Sequence, residues 1–201
     1  MPRPSQETAI LDAALHCFAE RGYDATRIRH IAEAANVSDG ALYRHYPSKE
    51  AIARALFERH MRAYVGQLQE VADRGTSVQQ RLQAIIHISL AAYRANPDAI
   101  HYILLERPQL MDTMPTDFVY PLQVITGLME EGQRQGNIRA GLPILLAAIF
   151  FGCLLRPIIV ARSEAQHGLD LLHDPLHEPV IADAAWAAVA RPSDIERASS
   201  T

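Results

Sequence analysis

Lysine is all but missing from this chain of 201 residues: Lys49 is the single one, and the other eighteen basic residues are arginines. Cysteine is nearly as scarce, with only Cys17 and Cys153, which excludes a disulfide framework and suits buried free thiols in a reducing compartment. No Gly-rich phosphate loop, no Gly-x-Ser-x-Gly and no His-Glu-x-x-His occurs, so no enzyme motif points to catalysis or to a cofactor. The N-terminal Met-Pro-Arg-Pro-Ser-Gln-Glu lacks the apolar run of a signal peptide, which points to a cytoplasmic protein. An excess of positive charge is also absent: 19 basic residues face 23 acidic ones, for a net charge of −4 and a pI near 6.1. That excludes a histone-like nucleic-acid coat. What is present is ordinary globular material, 49% hydrophobic and 21% charged, enough to pack a core.

The charge is unevenly placed. Residues 1–62 hold nine basic and eight acidic side chains, whereas residues 63–201 hold ten and fifteen. Between Arg27 and Lys49 there are four basic residues against two acidic, with His30 and His45 besides. Any contact with nucleic acid is therefore expected in the N-terminal piece.

Apolar residues recur at helical spacing throughout, and nothing reads as a strand, so the expected fold is all-α with about nine helices. Ile10, Leu11, Ala14, Leu15 and Phe18 line one face of a first helix that Gly22 stops. Thr26 is expected to cap a second helix carrying Ile28, Ile31, Ala32 and Ala35. Asn36 tolerates the left-handed turn that follows. Ser38 caps a short third helix, with Val37 and Leu42 placed as a hydrophobic staple. Ser48 starts a long fourth helix that runs to about Arg74. Further helices are expected before Ala95, after Asn96-Pro97-Asp98, from about Pro121 to Gly136, over Leu142–Ser163 and over Val180–Val189, with a frayed tail over 191–201. The domains expected are 1–60 and 61–201.

Two short helices joined by a tight turn suit a helix-turn-helix. The second, Ser38 to His45, has Leu42 facing inward and small residues, Gly40 and Ala41, near its start, so its backbone can press into a major groove. The spacing is specific. Ile10-Leu11-x-Ala13-Ala14-x-x-x-Phe18-Ala19-Glu20-x-Gly22-Tyr23, then Thr26-x-x-x-x-Ile31-Ala32, then Val37-Ser38-x-Gly40-x-Leu42-Tyr43-x-His45-Tyr46-x-Ser48-Lys49-Glu50 resembles the N-terminal DNA-binding domain of the TetR family of bacterial transcriptional regulators. Asn36 stands where that family usually has glycine, and Tyr46 where it commonly has phenylalanine.

The resemblance implies a ligand-responsive regulator, most often a repressor, that binds a palindromic operator in double-stranded DNA as a homodimer. It implies that Thr26 meets a phosphate at the start of the second helix, that Tyr43, His45 and Lys49 grip the DNA backbone, and that Ser38, Gly40, Ala41 and Arg44 face the bases. Arg44 suits guanine and Ala41 a thymine methyl, while Arg27 and Arg29 add phosphate contacts. It also implies that the last two long helices pair with their symmetry mates as a four-helix bundle. The apolar character of Leu142–Ser163 and the small Gly152 agree with that.

Polar groups stranded among apolar neighbours are the candidates for an effector pocket: Tyr93, His101, Tyr102, Glu106 and Arg156, with Phe118 and Phe151 as apolar wall. A small apolar or aromatic effector fits such a set. Two other readings compete. Residues 142–160 are apolar enough for a membrane-associated helix, although Arg156 and two prolines interrupt them. His167, Asp170, His173, Asp174, His177 and Glu178 cluster like metal ligands, but Pro175 breaks the helix that would align His173 with His177, so no metal site is expected.

Overall fold

The computed structural model of the protein describes residues 5–106, 108–165, 167–168, 171–172, 174 and 176–192. Its helices are α1 (Gln6–Arg21), α2 (Ile28–Ala34), α3 (Asp39–His45), α4 (Lys49–Ala72), α5 (Val78–Ala95), α6 (Pro97–His101), α7 (Pro121–Gln135), α8 (Pro143–Ala165) and α9 (His177–Val189). Among the described residues the only extended pairing is an isolated bridge between Ile138 and Ala190. The fold is all-α.

The chain forms two compact units, Met1–Arg62 with Asn96–Thr116, and Ala63–Ala95 with Asp117–Thr201. Helix α4 contributes to both. The segment after α5 therefore belongs with the N-terminal helices, an arrangement that a single cut near residue 60 does not anticipate.

In the first unit, Ile10, Leu11, Ala14, Leu15 and Phe18 of α1 are buried with Ile31 and Ala32 of α2 and Ala41 and Leu42 of α3. From α4 come Ile52, Ala53, Leu56 and Phe57. Asn96 caps α6 by accepting from the Ala99 amide at 3.0 Å, with Pro97 at the first helical position. Continuous α-helix to Pro108 is expected from the sequence, but the backbone widens into a π turn over Tyr102–Glu106 and then tightens into a 3-10 turn over Pro108–Thr113. The widened turn points Tyr102 inward. Its ring stacks on Phe18 with centroids 5.9 Å apart, and its hydroxyl donates to the Ala53 carbonyl at 3.0 Å.

The second unit packs α7 against α8, α8 against α9, and α5 against α7 and α9. Gly136, in left-handed geometry, ends α7. Tyr64 on α4 is fully buried, and its hydroxyl meets Ser89 Oγ at 2.8 Å, which donates in turn to the Ile85 carbonyl at 2.6 Å. Burial pushes the Tyr64 phenol well above its ordinary pKa. Arg81 of α5 is also buried; it donates to the Ala72 carbonyl at the end of α4 and pairs with Glu131 of α7. The Arg81 hydrogen bond holds the Glu131 carboxyl below its usual range.

Helix α8 buries one face, made of Leu146, Ala147, Phe150, Leu154, Ile158 and Ala161. Among the described residues it is the one helix long and apolar enough to cross a membrane. Its packing on α7 and α9 accounts for the buried part of that apolar surface.

Candidate nucleic-acid interface

The turn from α1 into α2 is fixed by hydrogen bonds that converge on a few backbone atoms. Gly22 ends α1 with a φ of 75°, a conformation that favours glycine. Thr26, 1% exposed, shares its hydroxyl proton between the carbonyls of Cys17 at 3.0 Å and Gly22 at 2.8 Å. The Cys17 thiol lies 3.6 Å from the His30 carbonyl, and burial raises its pKa. Lys49, in the first turn of α4, donates to the carbonyls of Tyr23 (2.7 Å) and Thr26 (2.9 Å), with that of Asp24 at 3.4 Å. The Tyr23 hydroxyl donates to Glu50 at 3.0 Å. The backbone N–H of Glu50 and this hydroxyl together hold the carboxyl below its usual range.

The second corner sets α3. Asn36 adopts a φ of 54°, which asparagine tolerates better than most residues, and the Val37 amide closes onto the Ala32 carbonyl at 2.9 Å. Ser38 caps α3 by accepting from the Ala41 amide at 3.2 Å. Ala41, Leu42 and Tyr46 turn inward, and the Tyr46 hydroxyl donates to Glu7 at 3.1 Å. Burial, helped by that bond, pushes the Tyr46 phenol up to about 12.

The opposite side of α3 is open. Tyr43 is 52% exposed, and Ser38, Gly40, Arg44 and His45 are exposed with it. Tyr43 and Arg44 make no hydrogen bond or ion pair to any described residue, whereas His45 Nε2 lies 3.1 Å from Gln6 Oε1. A Cβ built on Gly40 would meet nothing within 4 Å, so the folded unit itself does not require a glycine there. Arg27 and Arg29, at the start of α2, are exposed as well. Between them, the start of α2 and the open side of α3 offer a phenol, three guanidiniums and a glycine-bared stretch of helix backbone, the groups that meet phosphates and base edges.

A family model described as bacterial regulatory proteins, tetR family, matches residues 10–56, the stretch that builds both corners and this open face. The chain belongs to the TetR family. It is 29% identical over 156 residues to the transcriptional repressor KstR2 of Rhodococcus jostii (strain RHA1), covering 74% of this chain and 75% of that protein. It is likewise 29% identical over 150 residues to the fatty acid metabolism regulator protein of Bacillus subtilis (strain 168), covering 72% and 77%. A crystal structure of the regulator FadR from Bacillus subtilis, in complex with stearoyl-CoA, shares the fold with a TM-score of 0.76 at 22% identity, over 90% of this chain and 98% of that one. As a TetR-family member the protein is a transcriptional regulator with a helix-turn-helix DNA-binding domain, not an enzyme.

Within this TetR-family helix-turn-helix, several expected roles need correction. Thr26 does not cap α2 and has no hydroxyl to offer a phosphate, because its side chain is buried on two carbonyls. Arg27 takes the N-cap position, and its amide donates to His30 Nδ1 at 3.1 Å. Ala41 is 7% exposed and faces the core, so it cannot meet a thymine methyl. The Lys49 ammonium has three N–H groups and three carbonyls within reach, and therefore acts as a brace for the α1–α2 turn rather than as an open cation. The open residues are Arg27, Arg29, Ser38, Gly40, Tyr43, Arg44 and, with Gln6 beside it, His45.

The effector candidates divide between the two units. His101, Tyr102 and Glu106 fall in the first, where Tyr102 is a core residue with its hydroxyl bonded. His101 Nδ1 and Glu106 Oε2 are 3.6 Å apart. Tyr93, Phe118, Phe151 and Arg156 fall in the second, where Tyr93 and Phe118 are buried and Phe151 is half-buried. Arg156 is exposed on α8, not stranded in apolar surroundings, because it lies on the side of the helix away from Leu154 and Ile158. Neither the cleft of about 630 Å³ around Gln133, Arg139 and Arg191 nor the one of about 360 Å³ around Gln69, Gln123 and Glu131 is lined by these residues.

Of the histidine–carboxylate cluster, Asp170 and His173 lie outside the described residues. Among those described no group suits a metal ion: Glu178 is held by Arg94 at 2.6 Å and His87 at 2.5 Å, and His177 Nδ1 lies 2.6 Å from the Leu171 carbonyl. The sequence carries no signal for the Arg81–Glu131 and Arg94–Glu178 pairs, since each joins helices far apart in the chain.

Proposed function

We propose that this protein is a cytoplasmic, ligand-responsive repressor that binds a palindromic operator as a homodimer and leaves it when a small apolar effector binds. The observation that carries the reading is the open face of α3, with Gly40, Tyr43 and Arg44 unpartnered, together with the exposed Arg27 and Arg29 at the start of α2. A two-fold dimer presents two such faces to the half-sites of a palindrome, and Arg44 is the residue suited to bidentate recognition of guanine. Ser38 and His45 contribute further polar contacts, and the remaining arginines contact phosphates. The DNA-binding role belongs to the first unit, and the effector and dimer roles to the second.

An effector with an acyl chain is favoured by the relatives, one a fatty acid metabolism regulator and one a fold neighbour in complex with stearoyl-CoA. Tyr93, Phe118 and Phe151 are the aromatic residues of the second unit that such a chain would meet. The test is selection of bound duplexes from a random DNA pool by the purified protein. It is followed by fluorescence anisotropy of the selected duplex with acyl-CoA thioesters of graded length. Recovery of an inverted repeat, and release by one chain-length class, is expected. Recovery of no consensus sequence would reject the operator reading, and release by none of the thioesters would reject the acyl effector.

A further inference from the structure

Helices α8 and α9 present exposed sides that are apolar apart from one charge each. On α8, Leu145, Ile149, Gly152 and Ile159 are exposed, and Arg156 sits in the middle of that stripe at helical spacing. On α9, Val180 and Ala187 are exposed with Asp183 between them. Arg156 is the only charged residue from Pro143 to Ala161, and Asp183 the only one from Pro179 to Ala190. Neither makes an ion pair or hydrogen bond to any described residue of its own chain. Exposed apolar rows of this length are uncommon on a finished surface and mark a contact. Helix α8 packs against α9, so a cation exposed on one and an anion exposed on the other give this helix pair charges that a second copy of the same chain can satisfy twice by two-fold symmetry.

We infer that Arg156 of each protomer pairs with Asp183 of the partner subunit, and that these two pairs decide which chains associate. The inference rests on the homodimer proposed above and adds to it the residues that select the partner. The apolar rows supply attraction without selectivity, since apolar contact is non-directional. The charges supply the discrimination, because a chain with a like charge at either position leaves two desolvated groups opposed. A lipid surface is a poorer occupant, since an acid in the middle of one row and a base in the middle of the other gain nothing from hydrocarbon.

The test uses the full chain and three variants, Arg156→Asp, Asp183→Arg and the double reversal, with association measured by sedimentation and mixing by native mass spectrometry. Both sites are exposed, so helical content and melting temperature of the variants serve as folding controls. The parent chain is expected to be a dimer. Each single variant should self-associate at least ~100-fold more weakly, because both pairs become like-charged. An equimolar mixture of the two single variants should form a heterodimer of near-parental affinity, since each pair is then restored across the interface. The double reversal should dimerise with itself and exclude the parent chain. A parent that is monomeric would overturn the dimer reading itself. A dimeric parent with single variants of unchanged affinity would leave that reading standing and overturn the pair. Failure of the mixture alongside a dimeric double reversal would place the ion pair within one chain and also overturn the inference. A monomeric parent that sediments with phosphatidylcholine vesicles would assign the surface to lipid instead.

Discussion

The Lys49 ammonium lies 2.7 Å from the carbonyl oxygen of Tyr23 and 4.2 Å from the centroid of the same residue's ring. Backbone and side chain of one residue thus hold one cation, and the Thr26 carbonyl at 2.9 Å completes its grip on the turn before α2. Replacing Lys49 with alanine should cost about 1–2 kcal/mol of stability, because charge-assisted bonds to carbonyls are lost at a half-exposed site. DNA affinity should fall with it, since Arg27 and Arg29 follow directly on that turn. The slope of log affinity against log salt should stay at the parental value, because no phosphate contact is removed. A slope reduced by about one would restore Lys49 to the backbone-gripping role.

Substitution at Gly40 should separate folding from binding. Alanine there has room in the unit and suits a helix better than glycine, so Gly40→Ala should raise stability by about 0.5–1 kcal/mol in urea titration. The same methyl would stand between α3 and a groove floor, and affinity for the selected duplex should drop at least ~10-fold. Unchanged affinity would show that α3 does not approach DNA at Gly40.

The Arg81–Glu131 pair is lopsided, with the guanidinium side chain 8% exposed and the carboxylate side chain 30%. Losing the acid leaves a buried cation, while losing the base leaves a carboxylate that water can reach. Glu131→Ala should therefore cost about 3 kcal/mol and Arg81→Met about 1–2 kcal/mol by chemical denaturation. Equal costs would mean that burial does not govern this pair.

His60 should give the first unit an acid sensitivity. Burial, reinforced by the neighbouring Arg59 and opposed by Asp12, lowers its pKa to about 4, and its Nε2 accepts from Arg59 at 3.2 Å. The unfolded chain then binds the proton before the folded one does, so this contribution is complete above about pH 6.5 and declines as the pH falls toward 4. Melting curves across that window should show the decline, and His60→Leu should flatten it.

The helices and their caps were legible because each is a local pattern. Ser38, Asn96 and Gly136 do what their types favour at the ends of periodic apolar runs. The open face of α3 was partly legible: helical spacing placed Leu42 inward, but the α2–α3 packing that also buries Ala41 is a tertiary fact. Thr26 misled because a cap residue and a buried hydroxyl look alike until the carbonyls of Cys17 and Gly22 are placed beside it. Arg156 misled in the opposite sense. Apolar neighbours in sequence suggested burial, yet on a helix they occupy every side, and Arg156 falls on the outward one. Nothing local marks Arg81 as buried, since its acid is fifty residues away.

The Tyr102 hydroxyl on Ala53, and its ring on Phe18, have a consequence for anyone who takes scissors to the gene. A fragment ending at Arg62 would leave Phe18 without its stacking partner and the Ala53 carbonyl without that donor. The reading head is spatially whole but interrupted along the chain, so it cannot be excised or grafted as one contiguous stretch. A chimera that keeps this head on a foreign body must carry Asn96–Thr116 across with it.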